Sequence, residues 1–214
     1  MKTVGFFSFQ NYSKSQLLVW AATQLRLREK KLLVADFNLP SPNLHFLMKE
    51  LGFSQAFSPG FLDYLLFFQD TSLASNEPGK YVFKVEEGLF FMPAGNCPSL
   101  DYATGILDLD LKRIFPLHGP NLGLGLFRFL KEHLEGLVNP DFLLIDLPAG
   151  FSPISSTIIG GNIFDLVVIV VEQNDNHESV NFIKGVLDKI GLRTFLVRDS
   201  FAQTSEFLKT LTSL

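Results

Sequence analysis

The sequence predicts an α/β protein: a doubly wound, mostly parallel twisted sheet flanked by helices. Three observations carry that prediction. Short β-prone runs alternate with stretches of helical apolar spacing. The run from Leu32 to Phe37 is continuous instead of alternating, as suits a strand covered on both faces. Two of the β-prone runs end in an aspartate, Asp36 and Asp146, and the carboxyl edge of a parallel sheet is where such folds bind ligands.

In chain order, Thr3 to Phe9 reads as a first strand, and Gln10-Asn11-Tyr12 has turn character. Ser13 then precedes Leu17, Leu18, Ala21, Ala22 and Leu25, a helical spacing that runs out in the charged segment from Arg26 to Lys31. Leu32 to Phe37 is a second strand, closed by Asn38-Leu39-Pro40-Ser41-Pro42. Phe61 to Phe68 has helical character, and Tyr81 to Val85 and Leu89 to Met92 read as strands. Leu126, Leu130, Leu134 and Leu137 mark a helix over 122–137, and Asp141 to Asp146 is a buried strand. Leu166 to Val171 is a strand, Ser179 to Ile190 a helix and Arg193 to Val197 a last strand. Phe207, Leu208, Leu211 and Leu214 share one helical face; with Lys209 as its only cation, this segment lacks the basic face that favours anionic lipid and is expected to dock on the sheet. The segments 76–79 and 117–120 read as loops, so 1–214 is expected to form one domain.

Composition narrows the function. Of 214 residues, 47% are hydrophobic and 19% charged, which excludes disorder. A net charge of −4 argues against broad nucleic-acid binding. Cys97 has no companion for a disulfide or a zinc site, and His45, His118, His133 and His177 share no ligand spacing. No leader-like segment and no run approaching a membrane span is seen, so a cytoplasmic location is expected. The 23 phenylalanines enlarge the core and leave apolar surface to be explained.

Chemistry is expected at three places. Lys14-Ser15 opens the first helix directly after the first strand and its loop. A helix N-terminus already carries about half a positive charge, so a lysine there is electrostatically misplaced unless an anion joins it; a bound phosphate would resolve that cost and use the free N–H groups. The alternative is a solvated lysine on a helix capped by Ser13. Asp36 and Asp146 each serve equally well, taken alone, as strand-end caps. Taken together with Lys14-Ser15 they make a nucleotide site, with Asp146 and Ser15 around magnesium and the Gly150 N–H facing a terminal phosphate.

Three stretches make the reading specific. Residues 6–16, FFSFQNYSKSQ, stand where the MinD/ParA branch of P-loop ATPases has its deviant Walker A motif, KGGxGK[ST][ST]. Residues 33–45, LVADFNLPSPNLH, resemble that family's LLVDxDxxxPSLH switch I segment. Residues 141–150, DFLLIDLPAG, resemble its YDxVLIDxPxG Walker B and switch II run, and residues 88–95, GLFFMPAG, its GLxxLPAG strand. The resemblance implies ATP and Mg²⁺ as cofactors, Gln10, Asn11, Tyr12, Ser13, Lys14, Ser15, Gln16, Asp146 and Gly150 as binding positions, and a homodimer that recruits a protein partner or cargo.

The departures point to a degenerate member. Phe9 stands where the family has its signature lysine, Gln10, Asn11 and Ser13 stand where it has glycines, and Asn38 replaces the second switch I aspartate. Loss of one preorganised electrostatic group typically costs ~10²–10³ in rate, and two are missing. The expectation is therefore a weak or non-hydrolysing adaptor in spatial organisation or partitioning, with ATP binding left open; the alternative is an active Mg-ATP-dependent ATPase with an altered loop. Phe9 and Tyr12 either fill the vacated pocket or form a contact surface, or Phe9 simply ends the first strand in the core. Relatives that use paired cysteines at a dimer interface are disfavoured by the lone Cys97.

Overall fold

A computed structural model describes residues 1–9, 14–50, 58–70, 77–114, 122–171, 176–198 and 204–214. Seven strands form one sheet: β1 (Lys2–Ser8), β2 (Leu32–Asp36), β3 (Phe83–Glu86), β4 (Leu89–Met92), β5 (Phe142–Asp146), β6 (Leu166–Val171) and β7 (Thr194–Arg198), in the order β3-β4-β2-β5-β1-β6-β7. All neighbours are parallel except the β3–β4 hairpin at one edge. The described helices are α1 (Lys14–Arg26), α2 (Leu44–Glu50), α3 (Phe61–Asp70), α4 (Leu100–Asp108), α5 (Leu111–Ile114), α6 (Leu122–Val138), α7 (Pro153–Gly160), α8 (His177–Lys189) and α9 (Thr204–Thr212).

Period-two alternation sends successive strand residues to opposite faces, so the sheet carries two core layers. On one face Val4, Phe6, Val34 and Leu144 meet Leu18, Ala21 and Leu25 of α1, together with Phe207 and Leu211 of α9. On the other, Phe7, Leu33, Ile145 and Ile169 meet Leu126, Leu130 and Leu134 of α6, with residues of α7 and α8. Helix α9 docks on its own sheet as expected: Phe207 is fully buried, edge-on to Phe6 at 6.1 Å between centroids and stacked on Trp20 at 6.3 Å. No described helix is long and apolar enough to cross a membrane.

Two features differ from the sequence prediction. Tyr81 lies in a 3₁₀ turn, Pro78–Tyr81, and not in β3; the turn opens with a proline, and the Tyr81 ring packs edge-on against Tyr64 at 5.5 Å, a tertiary contact that strand propensity does not encode. Helices α2, α4, α5 and α7 lie in segments given no element. The antiparallel β3–β4 pair falls within the mostly parallel sheet expected, and a short hairpin turn at Glu87-Gly88 requires it.

Candidate functional site

The site lies at the carboxyl edge of the three central strands. Residues Asp36 and Asp146 are register partners on neighbouring parallel strands, and Phe6 on the far side of β5 is level with Asp146. Both carboxylates are fully buried. A buried carboxylate survives only if charge or hydrogen bonds compensate it, and the two are compensated differently.

Asp146 is met by side chains from the first turn of α1. Lys14 Nζ lies 2.7 Å from Asp146 Oδ1, and Ser15 Oγ donates to Asp146 Oδ2 at 2.7 Å. Lys14 is 1% exposed, so the solvated-lysine alternative does not hold. Asp36 receives backbone donors instead: Asn38 N–H at 3.1 Å to Oδ1 and Leu44 N–H at 3.2 Å to Oδ2. These bonds tie the end of β2 to the first residue of α2 and fix the loop between them. Within that loop Asn38 Nδ2 donates to the Ser41 carbonyl at 2.8 Å, and Tyr102 Oη, from α4, donates to the Leu39 carbonyl at 2.8 Å.

Burial pushes the Asp36 carboxyl up to about 8, helped by the nearby Asp146 charge and opposed by Lys14 and the two backbone N–H groups. Burial raises Asp146 too, against the Lys14 ammonium and the Ser15 hydroxyl. The Lys14 ammonium favours the charged form of Asp146, while burial and the Asp146 charge push Asp36 upward.

The remaining predicted positions divide. Gly150 sits at the switch II end with φ +65°, a conformation glycine adopts freely, and its N–H donates to the Ser8 carbonyl at 2.9 Å; a phosphate oxygen would have to displace that bond. Gln16 is exposed on α1. Gln10, Asn11, Tyr12 and Ser13 lie outside the described residues. Phe9 lies one residue beyond β1, half-buried and edge-on to Phe7 at 5.9 Å, and Phe7 in turn meets Phe151 at 5.6 Å. Phe9 thus packs on the core and also lines a surface groove of about 410 Å³ beside Phe151 and Phe182. Among the described residues no cluster of His, Cys, Asp and Glu forms a ready metal site.

Sequence reasoning passed over the support of this edge. Ser152 and Ser155 form a capping box at the start of α7, and Ser155 Oγ also donates to the Gly150 carbonyl at 2.7 Å, holding the switch II turn. The Ser-Pro-x-Ser spacing was a readable signal. The Tyr102 bond to Leu39, across 63 positions, carried none.

The donor set fits a magnesium–phosphate group: a buried ammonium, a hydroxyl and a carboxylate converge at the start of a helix that follows a central strand. The fold is that of P-loop NTPases, with this cluster at the carboxyl edge of the central strands. More narrowly, the chain has the fold shared by ParA and MinD proteins. Cobyrinic acid a,c-diamide synthase from Mycobacterium smegmatis, with bound ATP analog and magnesium, superposes with a TM-score of 0.66 over 100% of this chain and 82% of that one, at 14% identity. A plasmid partition protein from Borrelia burgdorferi gives 0.63 over 99% and 85%, at 17% identity. The septum site-determining protein MinD from Pyrococcus horikoshii, complexed with Mg-ADP, gives 0.65 over 94% and 71%, at 15% identity. At these identities the likeness is one of fold. No family model and no curated protein sequence matches the chain.

Proposed function

We propose that this chain is a MinD/ParA-like nucleotide-fold protein that acts as a weak or non-hydrolysing adaptor in spatial organisation or partitioning. The observation that carries the reading is that the carboxylates at the site are already committed to the protein: Asp146 to Lys14 and Ser15, and Asp36 to two backbone N–H groups, with an amide, Asn38, in the third place. A general base must have a free lone pair within reach of the water it activates, and each Asp36 oxygen already accepts a backbone N–H bond.

Bound Mg-ATP would supply a phosphoanhydride, with Lys14 on phosphate and Ser15 and Asp146 around the cation. The chain's own contribution is then to hold the group at Lys14, Ser15 and Asp146 without a poised base, and with Phe9 in the place of a cation. A bound nucleotide in such a site serves as a structural ligand whose binding free energy adds to stability. Homodimerisation, recruitment of a protein partner or cargo and a cytoplasmic place of action belong to the same reading. The partition and septum-site functions named for two fold relatives support it by analogy of fold alone.

The test is phosphate release with millimolar Mg-ATP, beside calorimetry. The expected result is release no faster than that of a Lys14→Ala variant. A steady rate that Lys14→Ala abolishes would overturn the adaptor reading in favour of an active ATPase with an altered loop, which the intact Lys14–Ser15–Asp146 cluster favours.

A further inference from the structure

Helix α8 carries two features that cost stability in an isolated chain. Phe182 is 67% exposed. Three residues on, Gly185 sits in the helix interior, where glycine is disfavoured relative to alanine, yet a Cβ at that position would meet no atom within 4 Å. Nothing inside the described fold requires the glycine. Open glycines also occur in α6, at Gly125 and Gly136, and at Gly160, the last residue of α7.

The two features share a stripe. Glu178, Phe182, Gly185 and Lys189 recur at i, i+4, i+7 and i+11, which places them on one helical face. The opposite face, Val180, Ile183 and Leu187, is buried against the sheet, so the stripe points outward. From it the apolar surface continues across the groove of about 410 Å³ to Phe9 and to the exposed Phe151.

The stripe is self-complementary. When two such helices lie antiparallel about a two-fold axis passing between Phe182 and Gly185, the Phe182 of each copy faces the Gly185 hollow of the other. In the same register Glu178 of each faces Lys189 of the other. Two protrusions meet two hollows and two acids meet two bases, as an isologous interface requires; a glycine at the contact also lets helices close to the short end of the usual ~8–10 Å separation. We propose that a second copy of this chain docks on this stripe, giving a homodimer formed by α8 pairing that needs no nucleotide. The proposal deepens the homodimer part of the reading above. Its readout, molecular mass, is separate from phosphate release, so each can fail alone.

The experiment is sedimentation of the 24.0 kDa chain in nucleotide-free buffer from 1 to 100 µM. The expected result is a concentration-dependent dimer. Phe182→Glu should weaken association at least ~10-fold, as loss of a central aromatic anchor does. Gly185→Leu should do the same while raising the thermal midpoint of the monomer, because it fills open space and improves helix propensity; a gain in stability with a loss of dimer separates docking from misfolding. Glu178→Lys and Lys189→Glu should each weaken association about 3–10-fold, as paired charges become like charges, and the double variant should return to within about twofold of wild type. A wild-type chain that stays monomeric at 100 µM overturns the proposal. So does a dimer unaffected by Gly185→Leu, or a double charge reversal that fails to restore it.

Discussion

Asp36 and Asp146 end neighbouring parallel strands at the same level of the sheet, equally buried, and the protein treats them in opposite ways. Asp146 is surrounded by side chains: an ammonium at 2.7 Å and a hydroxyl at 2.7 Å. Asp36 is surrounded by backbone: two N–H groups at 3.1 and 3.2 Å and no cation within bonding distance among the described residues. One carboxylate is held by an ammonium and a hydroxyl, a set that a bound cation would join; the other is held by backbone and acts as a staple between β2 and α2. Position on the sheet edge alone does not define a catalytic group. What meets the carboxylate does.

The contrast yields a graded set of expectations, each read by denaturant unfolding through the fluorescence of Trp20, the single tryptophan. The largest effect belongs to the ion pair. Lys14→Met leaves Asp146 buried without its cation and should cost about 3–5 kcal/mol, most of it recovered when Asp146→Asn is added; a cost that the second change does not recover would show that Lys14 acts through packing and not through Asp146. Next is the hydroxyl. Ser15→Ala removes a hydrogen bond to a charged acceptor and should cost about 1.5–3 kcal/mol, and a negligible loss would mean that Asp146 is neutral.

The finest expectation concerns pH. The folded Asp36 carboxyl titrates at about 8 against an ordinary value of 3.8, so the native state binds a proton through this window that the unfolded chain has lost. Stability therefore falls as pH rises from about 4 to 8 and levels off above it. Asp36→Asn turns an amide toward one of the two backbone donors and should be about 1–3 kcal/mol less stable than wild type at pH 4 to 5. That deficit should shrink as pH rises and change sign before pH 8, because wild type loses the bound proton's contribution and the variant has no proton to lose. A difference that does not change with pH would mean that Asp36 is ionised in the fold.

The central strands were legible because each is a continuous apolar run, and a run such as Leu166-Val167-Val168-Ile169-Val170-Val171 fits little but a strand buried on both faces. Lys14, Ser15 and Asp146 were legible as a group because strand-end and helix-start positions converge whenever the sheet is parallel. The short helices were not. Helix α4 leaves Leu100 and Leu107 more than 80% exposed while Gly105 packs beneath Leu62 and Leu66 of α3, so its apolar pattern misstates its buried face. Helix α2 has seven residues, too few for periodicity to speak, and owes its first turn to the bond from Leu44 to Asp36.

From the linear order of residues came the layered architecture, the strand-end carboxylates and the lysine at the head of the first helix, because periodicity and chain direction are local properties. Which aspartate meets the ammonium, where Phe9 lies and what Gly150 bonds to were decided only by the packed molecule. Those outcomes depend on groups tens of residues apart being brought into a medium where an unmet charge is costly, and spacing along a chain does not record such meetings.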